Sequence, residues 1–339
     1  MRDEAFWRSL LPSDALQREV SDKTLVVADT STAASQTSEV FGMLTTLGVE
    51  QMRTAGAKLA ASLEATWPEL TDSEVTVWST AYARTILSTQ ALLSTMFPAD
   101  RRTAPLTIDT RDSRQMVPDP LPRRTLRQEQ LEAELSSAPA FVAAEAAMAS
   151  LAQRVTHWLR ESGALRSDAD SVRFGVGDGN AVAGGTLPWS KLAEVTKCLA
   201  AHGKLPANVT EADVSAIQNY TARRWYALMG DARLAKEAMG PFASSLLHFF
   251  VARPKRMRVI SAHDSTLIGV MCAYGLAPPE SWPPYASVLR IELLQDAALE
   301  ESVRFVLNGK AVPFRPQTEL HLSGDRTIAR LQSLLALHS

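Results

Sequence analysis

Arg258-Val259-Ile260-Ser261-Ala262-His263-Asp264-Ser265-Thr266-Leu267-Ile268-Gly269-Val270-Met271 is the stretch on which the fold turns. An apolar run ends in small polar residues and passes directly into a second apolar run with helical character, which is how a buried strand opens onto a helix N-terminus. Such a junction delivers an imidazole, His263, and a carboxylate, Asp264, side by side, a pair suited to anion binding and proton donation. The same residues also form a good cap cluster, because Asp264 is followed by Ser265 and Thr266, and this plainer reading has equal weight on these residues alone.

Strand and helix signals alternate on either side of that junction. Leu25 to Ala28, Val75 to Trp78, Leu106 to Ile108 and Met257 to Ser261 read as strands, and Thr45 to Ala65 and Ala81 to Met96 as helices. This βα alternation predicts a mostly parallel sheet covered by helices on both faces. Asn308-Gly309 reads as a type I′ turn joining Val303–Leu307 to Lys310–Phe314, which gives the sheet an antiparallel edge. From about Leu121 to Lys255 the chain reads as helices, near Leu126 to Arg160, Lys191 to His202, Glu211 to Met229 and Leu234 to Val251. A tail helix carries Ile328, Leu331, Leu334 and Leu335 at helical spacing behind a Ser323 cap. The expected organisation is one α/β core made of residues 1–120 and 256–339, with residues 121–255 as an inserted helical cap.

Four stretches together resemble the histidine acid phosphatases, branch 2 of the histidine phosphatase superfamily, in their lysophosphatidic acid phosphatase-like form. They are Phe41-Gly42-Met43-Leu44-Thr45-Thr46-Leu47-Gly48, Val77-Trp78-Ser79-Thr80-Ala81-Tyr82-Ala83-Arg84, Ser261 to Gly275, and Trp282-Pro283-Pro284-Tyr285-Ala286-Ser287 with the strand after it. The resemblance implies a histidine-phosphatase fold, with His263-Asp264 as its His-Asp pair and Arg84 as an arginine of the helix after the second strand. Arg84 is expected to make structural ion pairs.

Against that family the first strand is altered. Its tip should read Arg-His-Gly-x-Arg, the His being the nucleophile, yet here Ala28 stands for the first Arg, Asp29 for the His and Thr32 for the second Arg. Trp78 replaces a further phosphate-binding Arg and is expected to fill the pocket mouth with apolar surface. Phosphoryl transfer through phosphohistidine needs a nucleophile and fixed positive charge. The substitutions move the pocket by about four charge units toward negative, and two like charges about 4 Å apart repel by about 4 kcal/mol at an effective dielectric near 20. Facing Asp29 and Asp264 carboxylates would couple, one of them titrating high. A haloacid-dehalogenase-like use of Asp29 as nucleophile lacks its second acid, since that position is Ser31.

The expected function is therefore a catalytically inactive pseudophosphatase, serving as a structural or binding subunit of an intracellular assembly of proteins. The alternatives are an active phosphomonoesterase with an atypical site, and a small-molecule or lipid binder. No cofactor and no metal are expected, since the histidines lack ligand spacing, and the glycine run from Gly175 to Gly185 lacks a phosphate-loop frame. The net charge of −2 gives no footprint for nucleic acid. No apolar run reaches membrane-spanning length, so no membrane anchor is expected. Cys198 and Cys272 read as reduced core thiols and the first residues as an amphipathic helix rather than a secretory signal. Those features predict an intracellular protein, cytoplasmic rather than mitochondrial.

Overall fold

The computed structural model describes residues 4–27, 42–68, 70–98, 100, 102, 104–112, 115–118, 125–164, 185–277, 279, 281–315 and 327–336. Two short helices, α1 (Glu4–Ser9) and α2 (Asp14–Ser21), precede strand β1 (Thr24–Val27). Then come α3 (Thr46–Thr66), β2 (Val75–Thr80), α4 (Ala83–Met96) and β3 (Leu106–Arg111). The helical stretch holds α5 (Leu126–Ser136), α6 (Pro139–Glu161), α7 (Trp189–Ala201), α8 (Glu211–Met229) and α9 (Ala232–Ala252). It is followed by β4 (Met257–Ser261), α10 (Asp264–Ala273), β5 (Leu289–Gln295), β6 (Glu301–Leu307), β7 (Lys310–Ala311) and α11 (Ile328–Ala336).

Four strands form a parallel sheet in the order β1-β3-β2-β4. One face buries Val75, Val77, Ile108 and Val259 against Leu92, Leu93 and Met96 of α4, with Met52, Leu59 and Leu63 of α3 alongside. The two helices meet at Gly56, where a side chain would collide with the Leu92 carbonyl and the Thr95 hydroxyl. The other side carries α9 and α10, whose Met239, Leu247, Ile268 and Met271 belong to the largest apolar cluster. Strand β1 departs from a buried strand: it is an edge, and Leu25, Val26 and Val27 are 56%, 39% and 44% exposed.

Strands β5, β6 and β7 make a separate antiparallel sheet. Its β6–β7 turn has positive φ at both Asn308 and Gly309, the geometry that type I′ requires and that Asn-Gly supplies. The run expected as one helix former from Leu126 to Arg160 is split at Ser137 and Ala138, because Pro139 starts α6 at its first turn. Another apolar cluster joins α6, α7 and α8, through Val155, Leu159, Leu192, Leu199 and Ile217, and admits Trp7 of α1. Residues 175–184 of the glycine run and the Ser323 cap lie outside the described residues. Within the tail helix, Thr327 takes the cap's place, its hydroxyl accepting from the Arg330 N–H.

Candidate functional site

The strand-to-helix junction forms as its sequence predicts. His263 is the N-cap of α10 with extended backbone, and its N–H donates to the Thr266 hydroxyl at 3.3 Å. Thr266 donates in turn to the Met116 carbonyl at 2.6 Å, so the turn is held from beneath by a buried bond. This fixes the direction in which the imidazole leaves the backbone.

The ring of His263 packs edge-on against Tyr82, with centroids 5.3 Å apart and an interplanar angle of 83°. Its Nε2 lies 3.3 Å from the Thr80 hydroxyl. Thr80 spends its own proton on Thr85 at 2.9 Å, so its oxygen is left to accept, which assigns the neutral tautomer protonated on Nε2. Burial, reinforced by the Arg84 guanidinium, pushes the imidazole down from its ordinary range to about 4. At neutral pH the group is therefore an uncharged donor.

Asp264 is committed on both oxygens. Oδ1 accepts the Ser265 N–H at 2.9 Å, and Oδ2 accepts the Trp282 indole N–H at 2.6 Å. Lys197 of α7 reaches over from the helical stretch, donates to the Pro283 carbonyl at 2.9 Å and stacks 4.3 Å from the Tyr285 ring. Burial lowers its ammonium and the charge of Asp264 opposes that shift. The Trp282–Tyr285 segment is thereby pinned from both sides.

These residues line a cleft of about 2260 Å³ whose walls come from the α/β part and from α7. Arg84 lines it, with its guanidinium 4.5 Å over the Tyr82 ring. The ion pairs expected of Arg84 are absent among the described residues; stacking takes their place. Trp78 also departs from expectation. It does not line the cleft but sits under Arg258, 3.8 Å away, and Arg111, 4.6 Å away, which reach it from the flanking strands β4 and β3. The reason is strand alternation: Val77 and Ser79 face the α4 side, so Trp78 faces the opposite side with Arg258.

Ala28, Asp29 and Thr32 lie outside the described residues, and so does any pairing of Asp29 with Asp264. Tyr82, Thr85 and Lys197 are site residues that sequence reading left unassigned. Tyr82 stands inside the quoted second stretch and Thr85 directly follows it, whereas Lys197 has no local signal because the tertiary fold brings it from 66 residues upstream of His263. Cys198 and Cys272 are free thiols in α7 and α10, and burial pushes both up to about 11. No group of His, Cys, Asp and Glu with metal-binding geometry occurs among the described residues.

Residues 15–161 match the family model of the histidine phosphatase superfamily, branch 2. That part of the chain is similar to the superfamily, and the whole chain has the same fold as solved phytases. Its fold is shared with the phytase from Citrobacter braakii, at 14% identity and a TM-score of 0.66 over 89% of this chain and 90% of that one. Hafnia alvei phytase in its apo form is similar at 14% identity and a TM-score of 0.62, over 97% and 93% of the two chains. The phytase of Klebsiella sp. ASR1 is similar at 16% identity and a TM-score of 0.59, over 96% and 91%. No curated protein matches the chain in sequence. In this chain the His-Asp pair follows the tip of the sheet's edge strand β4 and lines the cleft.

Proposed function

We propose that the protein is a histidine-acid-phosphatase-like member that binds in its cleft and does not run phosphohistidine chemistry. The observation that carries this reading is the state of the one imidazole at the strand tips. His263 is neutral, half-buried and held by Thr80 and Tyr82, and the sequence between β1 and α3 supplies no second histidine. A phosphohistidine cycle needs a nucleophile and a separate proton donor, together with several cations on the phosphoryl oxygens. Here Asp264 is engaged by an indole, and the cation beside His263 is Arg84.

The protein is assayed with generic phosphomonoesters from pH 4 to 8, with quenched samples read by intact mass. The expected result is no phosphoryl adduct and no turnover that His263→Ala abolishes. Turnover that depends on His263 overturns the proposal. Arg84 supports a second reading, a phosphomonoesterase with a nucleophile from elsewhere, because a cleft cation without a carboxylate partner among the described residues favours an anionic ligand. An adduct mapped to a residue other than His263 selects that reading. The free thiols fit a subunit of an intracellular protein assembly. Affinity capture of the intact protein from its own cells, with mass spectrometry, tests that role.

A further inference from the structure

Arg111, Trp78 and Arg258 form a stack on the face of the parallel sheet turned away from α4. Arg258 is in register with Thr76 and Arg111 with Thr80, so each stands two residues along β2 from Trp78 and all three side chains leave the same face. The Arg258 guanidinium also lies 4.3 Å from the Phe249 ring of α9, which places it against two aromatic rings.

Two like charges are thus held on one indole, and the described residues do little to balance them. Asp109 reaches Arg111 only at 3.8 Å, and the two side chains are 41% and 42% exposed. The Nε of Arg111 is buried without a hydrogen-bond partner. Of the N–H groups of Arg258, only Nε–H has an acceptor among the described residues, the Thr76 hydroxyl at 3.4 Å. Burial, and then the charge of Arg111, hold the Arg258 guanidinium below its ordinary range. Two other stacked arginines of this chain are compensated. Arg256, 4.6 Å over the Trp67 ring, pairs with Glu74 at 3.3 Å, and Arg224, 5.4 Å over the Phe141 ring, pairs with Glu145 at 2.7 Å. An indole face attracts a cation without carrying a charge of its own, so the stack accounts for where the guanidiniums lie and not for what neutralises them.

We propose that Arg111 and Arg258 bind a small oxyanion, a carboxylate or a phosphate group, beside the Trp78 indole. The forked N–H donors of arginine match the oxygens of both groups, and the exposure of the Arg111 side chain gives them access. The site is separate from His263. Neither Trp78 nor Arg111 lines the cleft, and the guanidinium that acts on the imidazole is Arg84. Failure of this site therefore leaves the binding role of the cleft standing.

The test follows the indole N–H resonance of Trp78 in the full chain, assigned with Trp78→Phe, while inorganic phosphate or acetate replaces chloride at constant pH and ionic strength. The expected result is a shift with one anion or both that saturates in the millimolar range, weakened about tenfold or more by Arg111→Gln and by Arg258→Gln. Asp109→Asn, which frees Arg111 from its carboxylate neighbour, is expected to tighten binding about threefold. Arg111 and Asp109 are partly exposed, so their variants carry the test if Arg258→Gln, which empties a place against two rings, does not fold. A resonance that neither anion shifts saturably overturns the proposal. It is overturned equally by binding that Arg111→Gln leaves unchanged, by binding that Asp109→Asn weakens, and by a shift that Arg84→Met abolishes, which places the anion in the cleft.

Discussion

His263 carries a pH dependence whose sign its surroundings fix. Its imidazole titrates near 4 in the folded chain against an ordinary 6.5, so above pH 6.5 both folded and unfolded states are neutral there and stability is undiminished. As pH falls from 6.5 through 4 the unfolded chain takes up the proton first, and the folded state loses up to about 3 kcal/mol. Urea unfolding at pH 7 and pH 4.5 should show that loss in the wild type and a flatter profile in His263→Asn. An equal loss in both proteins would refute the assignment. Arg84 contributes the second part of the shift, so Arg84→Met should raise the NMR midpoint of His263 while burial keeps it below 6.5. That His263 and Asp264 sit together at a helix start was legible in sequence, because strand, cap and helix are all local patterns. The direction of Trp78 and the arrival of Lys197 were not: the first depends on which sheet face α4 covers, the second on a contact between α7 and a loop far along the chain.

Between elements, α3 packs closely against α4, and Gly56 permits it. An alanine there gains up to about 1 kcal/mol of helix propensity, but its methyl meets the Leu92 carbonyl and the Thr95 hydroxyl, which already donates to the Arg53 carbonyl at 2.7 Å. Backbone cannot yield as a side chain tip does, so Gly56→Ala should destabilise by about 1–3 kcal/mol net, measured as a lower urea midpoint at unchanged slope. A neutral or stabilising result would mean that the helices can separate. Sequence gave no hint of this, since a glycine inside a helix reads only as weak propensity. Helix and strand positions were more legible: Glu211–Met229 and Met257–Ser261 fall where periodicity and caps place them. That strand β1 lies at the sheet's edge was not legible, because a short apolar run looks alike at a sheet's centre and at its edge.

At the scale of the whole molecule, the N-terminal helices connect clusters that otherwise pack apart. Trp7 is 7% exposed and sits among the α6, α7 and α8 side chains, with its ring 5.5 Å from His202. The chain just after α1 accepts, at the Leu10 carbonyl, the Thr46 N–H at the start of α3 at 2.8 Å. In α2, Val20 packs with Val49 of α3 and with Leu87 and Ala91 of α4. One short segment thus spans from the helical stretch to the α/β part, across the cleft that Trp7 also lines. Trp7→Ala should remove about 3–5 kcal/mol from the α6–α8 cluster while leaving the sheet's own packing intact. Because Trp158 and Trp189 report on that cluster, near-ultraviolet dichroism should melt at lower temperature than the far-ultraviolet signal in the variant, whereas the two coincide in the wild type. Coincident melting of the variant at the wild-type midpoint would show that Trp7 fills space without joining the clusters, and would leave the cleft held together by Lys197 and the Trp282–Tyr285 segment.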